Sequence, residues 1–180
     1  MPISDDDAIR DVLAGNCAAF AGLVNAYYAS CLRLAVHLLG SREDAEEVVQ
    51  DTFVRAYRGL ANYDHRGHFH AWLSSILINR CRTRAVRLSR TRTMFRPEGQ
   101  LPASDETAAS AGDPVLRRRL HEALQKLPHR QREAFLLKHV EGWSYSEMKR
   151  ITRTEISALK MRVKRARAEL RRLLGEQDDG

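Results

Sequence analysis

The chain is poor in the residues that punctuate or cross-link small folds. Its 180 residues include only three cysteines, Cys17, Cys31 and Cys81, which are odd in number, far apart and without a CxxC pair. That spacing offers neither a disulfide framework nor a cysteine zinc site, and Cys17 and Cys31, lying on apolar helical stretches, read as core thiols. With 10 glycines and 5 prolines there are few breakers, strand-type alternation is hard to find, and the pattern is that of an all-helical protein. No apolar run approaches the roughly 18 residues a membrane span needs. The amino terminus carries Asp5, Asp6 and Asp7 where a signal peptide would be basic. A cytoplasmic protein without membrane insertion is expected. A nucleophile–base pair and a phosphate-binding glycine loop are both missing, so no catalytic residue is assigned and no cofactor is expected. Little sequence follows Leu174, and regulation by an added carboxy-terminal domain is not expected.

What is present is a lopsided charge. The net charge is +7, yet residues 1–88 carry 10 basic and 10 acidic side chains, whereas residues 113–180 carry 17 and 10. A basic module beside a neutral one points to a nucleic-acid-binding half and a half with a different partner.

Ser4 before the three aspartates is a helix start with acids at the positive end of the dipole. Ile9, Val12 and Leu13 give its expected buried stripe, and Gly15 its stop. A second helix runs to about Leu39, and a third occupies about Arg42–Leu60, with Ser41 and Asp44 in capping-box register. The third helix divides into two faces. Ala45, Val49, Phe53, Ala56 and Leu60 recur at steps of three and four, opposite Asp44, Glu47, Gln50, Asp51 and Arg58. A polar loop leads to a fourth helix from near Phe69, whose tail (Arg80, Arg82, Arg84, Arg87, Arg90, Arg92) has no intervening acid. Residues 96–112 lose periodicity and read as a linker. Asp113-Pro114 then opens a helix with Leu116, Leu120, Ala123, Leu124 and Leu127 on one face, and Pro128 starts another through Phe135, Leu136 and Val140 to Gly142.

The last segment is the most specific. Ser144-Tyr-Ser-Glu147 is a capping box, and Thr154 is a candidate cap for the final helix. There, Leu159, Val163, Ala166, Leu170 and Leu173 form an apolar seam, with Lys160, Lys164, Arg167 and Arg171 alongside and Met161 and Arg165 further round. A short capped helix, a tight turn and a long helix with a basic outer face make a helix-turn-helix that suits phosphate and base-edge contacts in the major groove. A basic coiled coil would share the charge pattern but not the capped helix before it. His65, His68 and His70 lack further ligands at a zinc spacing, and no metal is assigned.

These motifs resemble a known family. The pattern L-P-x-R-Q-R-E-x-F, then E-G-x-S-Y-x-E, then K-x-R-x-x-R-A-R-x-x-L is similar to region 4 of bacterial extracytoplasmic-function sigma factors. Residues 39–57, LGSREDAEEVVQDTFVRAY, resemble its region 2.2, and residues 69–80, FHAWLSSILINR, its F-x-A-W-L-x-x-I-x-x-N segment. The resemblance implies two small helical domains, residues 1–90 (region 2) and 113–176 (region 4), joined by a flexible linker over 91–112. It further implies that Asp44, Glu47, Gln50 and Asp51 dock on the β′ clamp helices of core RNA polymerase, with the β subunit, promoter DNA and an anti-sigma protein as further partners. Tyr63, His68, Phe69, Trp72, Asn79, Arg80 and Arg84 would serve minus-ten recognition and melting, where unstacked bases need aromatic platforms and polar edges; by spacing alone Phe69 and Trp72 are equally core residues. Ser157, Lys160, Met161, Lys164, Arg165 and Arg167 would face the minus-35 element. The chain departs from the family pattern in the helix-turn-helix, where Lys149 replaces a small residue and Arg153 a turn glycine, so an atypical minus-35 sequence is expected. The alternatives are a stand-alone helix-turn-helix regulator and an enzyme with a DNA-binding tail.

Overall fold

A computed structural model describes residues 4–64, 67–94 and 114–175. Among the described residues all regular structure is helical: α1 (Asp5–Leu13), α2 (Ala19–Leu39), α3 (Arg42–Gly59), a 3₁₀ turn (Leu60–Asn62), α4 (Phe69–Met94), α5 (Pro114–Lys126), α6 (His129–His139), α7 (Tyr145–Thr152) and α8 (Ile156–Gly175). Contacts divide the chain into two units, Met1–Ala35 with Glu43–Phe95, and Val36–Arg42 with Arg96–Gly180. The turn between α2 and α3 thus groups with the carboxy-terminal unit, which the sequence pattern does not suggest.

In the first unit α1 begins as its sequence dictates. The Ser4 side chain accepts the Asp7 amide at 3.2 Å, and Asp5, Asp6 and Asp7 fill the first turn where the dipole favours acids. Its buried residues are Ala8, Ile9 and Val12; Leu13, expected inside, is 54% exposed because it falls in the last turn, beyond the core contact. Helix α2 corrects another expectation. At 21 residues it is long and apolar enough, by length and composition, to cross a membrane. Its rings nevertheless pack within the unit: Phe20 and Tyr28 meet Phe53 of α3, and Tyr27 meets Phe69 of α4. Leu23, Cys31, Leu34 and Ala35 are buried. Cys17 is also corrected. It precedes the helix and is exposed, with its Sγ 3.1 Å from the Tyr57 hydroxyl, whereas Cys31 and Cys81 are buried.

Helix α3 buries Ala45, Val48, Val49, Thr52, Phe53 and Ala56, and the Thr52 hydroxyl is satisfied by donating to the Val48 carbonyl at 2.7 Å. Leu60 is buried in the 3₁₀ turn. Helix α4 contributes Phe69, Leu73, Leu77, Ile78 and Cys81 to the core. It continues to Met94, into the stretch expected to be linker; residues 95–113, with the rest of that linker, Arg96 and the Asp113 cap, lie outside the described residues.

In the second unit α8 is the hub, packed by α5, α6 and α7. Ala123, Leu124, Leu127, Ala134, Leu136, Leu137, Met148 and Ile151 are buried, as are Leu159, Val163, Ala166 and Leu170 on α8. Leu116 (55% exposed), Leu120 (39%) and Val140 (53%) are not, although they continue the periodicity. Arg132 of α6 is buried, and its Nη2 donates to the carbonyls of Gln125 (2.8 Å) and Leu127 (3.1 Å). Those bonds satisfy the end of α5, and burial pushes the Arg132 pKa down to about 10. Gly142, at φ +74°, turns the chain between α6 and α7.

Candidate nucleic-acid and protein interfaces

The outer face of α3 and the second half of α4 meet in an ordered set of charges. Acids at positions 44, 47 and 51 recur at steps of three and four, and arginines at 80 and 84 at a step of four, so each helix presents one row. Arg80 pairs with Asp51 through Nε at 2.5 Å. Arg84 donates from Nε to Asp44 Oδ1 at 2.8 Å and lies 2.9 Å from Glu47 Oε2. Arg55, one turn along α3, also holds Asp51, at 3.0 Å. The hydrogen bond to Asp44 and the charges of Asp44 and Glu47 raise the Arg84 pKa above its ordinary value. Accessibility differs along the row: the side chain of Asp44 is 16% exposed, Asp51 35% and Glu47 65%, and Gln50 is exposed. A cleft of about 230 Å³ runs beside the pairs, lined by Glu47, Val48, Asp51, Arg80, Thr83, Arg84 and Arg87.

The four acidic and polar side chains expected on α3 therefore share one face. Arg80 and Arg84, expected on DNA, are not apart from them but bound to them. The sequence could not show this, because it depends on the register between two helices.

At the opposite end of α4 sits an aromatic cluster. Tyr63 and Trp72 have ring centroids 5.1 Å apart, Phe69 and Trp72 5.7 Å, and Tyr63 and Phe69 5.9 Å. Phe69 is 1% exposed, so its ring belongs to the core and offers no face to a base in this arrangement. Tyr63 and Trp72 are half-buried, and His68 and Asn79 are exposed. The Tyr63 hydroxyl accepts the His68 amide at 3.2 Å, which ties the two ends of the loop together. Burial raises the Tyr63 pKa and lowers that of His70.

Sequence reasoning missed what anchors this loop. Asp6 Oδ1 accepts the Gly67 amide at 3.1 Å, and Asp5 accepts the hydroxyl of Tyr27, whose ring lies tilted against Phe69 and His70. The Tyr27 pKa is raised by burial first and by Asp5 second. The triple aspartate is the visible signal, and as a sequence pattern it reads as a helix start alone. His65 lies outside the described residues, and the described residues hold no cluster of three metal-ligating side chains.

The second unit presents the helix-turn-helix. Ser144 Oγ accepts the Glu147 amide at 3.2 Å and Glu147 Oε2 accepts the Ser144 amide at 2.8 Å, a complete capping box. Helix α7 ends in Arg153 at φ 53°, ψ 39°, whose amide donates to the Lys149 carbonyl at 2.9 Å. Arg153 is the one non-glycine residue with positive φ among the described residues, so the left-handed turn survives without its glycine. Lys149, in place of a small residue, points outward and bonds Glu155 across the turn at 2.8 Å. Thr154 does not cap α8. The helix opens at Ile156, and the Thr154 hydroxyl donates back to the Thr152 carbonyl at 3.3 Å.

On α8, Ser157, Lys160, Met161, Lys164, Arg165 and Arg167 are all exposed, opposite the buried seam; Leu173 is half-buried. The Lys160 ammonium lies 5.8 Å from the Tyr145 ring centroid, which fixes that end of the row against α7. Burial, with the charges of Arg167 and Lys138, lowers the His139 pKa.

Comparison with known proteins bears on both units. The sigma-70 region 2 model matches residues 23–91 and the sigma-70 region 4 model residues 117–170. The chain is 30% identical to the ECF RNA polymerase sigma factor SigM of Mycobacterium tuberculosis over 98% of its own length and 88% of that protein's. Among solved structures, the sigma factor RpoE of Bartonella quintana, in complex with the anti-sigma factor NepR, matches at 26% identity with a TM-score of 0.75, covering 87% of this chain and 96% of that one. CnrH, solved with the cytosolic domain of CnrY, matches at 28% identity with a TM-score of 0.67, covering 94% and 96%.

Proposed function

The chain belongs to the extracytoplasmic-function branch of the sigma-70 family, and from that premise we propose how its two units divide the work of promoter recognition. It is an alternative sigma factor, which binds core RNA polymerase and directs promoter-specific initiation. In the finer division, residues 1–90 dock on the β′ clamp helices through Glu47 and Gln50, the most open members of the α3 face, with Asp51 and Asp44 behind them. Exposed carboxylates on an electrically balanced domain are poor DNA ligands and good ligands for a basic protein surface.

The loop and α4 take the minus-ten element, with Tyr63 and Trp72 as half-open platforms and His68 and Asn79 as polar groups for base edges. Residues 113–176 take the minus-35 element through Ser157, Lys160, Met161, Lys164, Arg165 and Arg167. The chemistry is the polymerase's, the protein works in the cytoplasm, and an anti-sigma protein holds it inactive, as the complexes of its structural relatives support.

The single observation that carries this reading is the pairing, in one chain, of an acidic α3 face with a basic α8 face on a capped helix-turn-helix. A stand-alone regulator has no use for the first. Pull-down of core polymerase tests it. Glu47→Lys/Asp51→Lys abolishes retention, while the folded signal by circular dichroism persists. Retention unchanged in that variant would sink the docking assignment.

A further inference from the structure

The charges between α3 and α4 are paired antiparallel, with Arg80 against Asp51 and Arg84 against Glu47 and Asp44. Guanidinium N–H groups bind carboxylate and phosphodiester oxygens by the same charge-assisted contacts. Here Arg84 Nε and Nη2 share Asp44 Oδ1, its Nη1 reaches Glu47 Oε1 at 3.3 Å, and Arg80 meets Asp51 as an ion pair. The pairs are not sealed in. Both arginine side chains are 26% exposed and open on the cleft that Thr83 and Arg87 also line. Partly exposed pairs are weak enough to exchange partners.

We propose that the α3 carboxylates stand in for DNA phosphate, holding Arg80 and Arg84 within the protein until a cationic partner surface claims those carboxylates and frees the two guanidiniums for the DNA backbone. The release half rests on the docking reading above; the hold does not. Polymerase docking and phosphate binding by α4 become one linked equilibrium, and by reciprocity each strengthens the other by the same factor. The arrangement also penalises DNA binding by the unaccompanied protein, since phosphates must displace carboxylates already in place.

The test uses the full chain without polymerase and a fluorescein-labelled single-stranded oligonucleotide, read by anisotropy across salt concentrations. Asp44→Asn/Asp51→Asn binds about tenfold tighter than wild type. Its log K against log salt slope steepens by about 1.4, because two further phosphate contacts each add roughly 0.7 on single strands. Removing two charges outside α3 and α4, Asp11→Asn/Glu141→Gln, gives much less of either. Adding Arg80→Gln/Arg84→Gln to the Asp44→Asn/Asp51→Asn protein cancels the gain. If the double Asn variant fails to fold, Glu47→Gln, at a 65% exposed side chain, carries the test with a gain of about two- to threefold.

No gain, an equal gain in the charge-removal control, or a gain that persists without the arginines overturns the hold. Survival of polymerase binding after Glu47→Lys/Asp51→Lys overturns the docking reading and the release with it. A DNA gain in the Asn variant would then still establish the intramolecular hold.

Discussion

Arg153 offers the sharpest test of the helix-turn-helix. It sits at φ 53°, ψ 39°, where a side chain is disfavoured, and it is exposed, so its replacement removes no packing. The left-handed conformation costs a non-glycine residue about 1–2 kcal/mol. Glycine removes that cost in the folded state but gives the unfolded chain about 0.4–1 kcal/mol of extra conformational freedom. Arg153→Gly is therefore net stabilising by about 0.8 kcal/mol. For a unit of roughly 60–100 residues, 1 kcal/mol moves the midpoint by about 4–8 °C, so the expected rise is about 3–6 °C.

Arg153→Val moves the other way by at least about 1 kcal/mol, because a β-branched side chain tolerates this region least. Differential scanning calorimetry on the full chain reads both variants, and hydrogen exchange at the Arg153 amide, bonded to Lys149, locates the change. A lower midpoint for the glycine variant, or an unchanged one for valine, would refute the left-handed turn.

Phe69→Ala should cost about 3–5 kcal/mol, since a ring 1% exposed leaves a cavity. Asn79→Ala, at an exposed position, should stay within about 0.5 kcal/mol yet reduce permanganate reactivity of the melted minus-ten bases; denaturant titration beside footprinting separates the two. Ser144→Ala should cost about 1 kcal/mol through loss of its capping box. Lys149→Ala should cost under about 0.5 kcal/mol, because its bond to Glu155 joins two exposed side chains. Acid should destabilise the first unit through His70. Burial lowers its pKa below the ordinary 6.5, so the unfolded chain takes the proton first. The stabilisation is complete above about pH 6.5 and is lost as pH falls towards the folded-state pKa. Urea midpoints at pH 7.5 and 5.5 should show the drop and His70→Gln should shrink it; an identical drop in that variant would assign the effect elsewhere.

Most of the helices were legible because their start signals and their periodicity agree. Ser4 and Ser144 cap where the apolar steps begin, and the buried row of α3 is the one its spacing dictates. The errors share a cause. Leu13, Leu116, Leu120 and Val140 continue a correct period past the point where another helix covers it, and a one-dimensional pattern carries no information about where the partner ends. Cys17, assigned to an apolar helical stretch, lies two residues before α2 begins and is exposed.

The site was legible as two lists of residues but not as a set of contacts. Asp44, Glu47 and Asp51 announce an acidic face; Arg80 and Arg84 announce a basic one; only the fold shows that each is the other's ligand. Charge reversal at Asp51 strips Arg80 and Arg55 of a partner, and on the proposed reading it also removes a docking carboxylate and releases a phosphate-binding group. A loss of transcription in that variant alone cannot be ascribed to one partner. Glu47→Gln and Arg80→Gln must be measured singly and together, because two independent surfaces give additive effects whereas an exchanging pair gives a coupling energy.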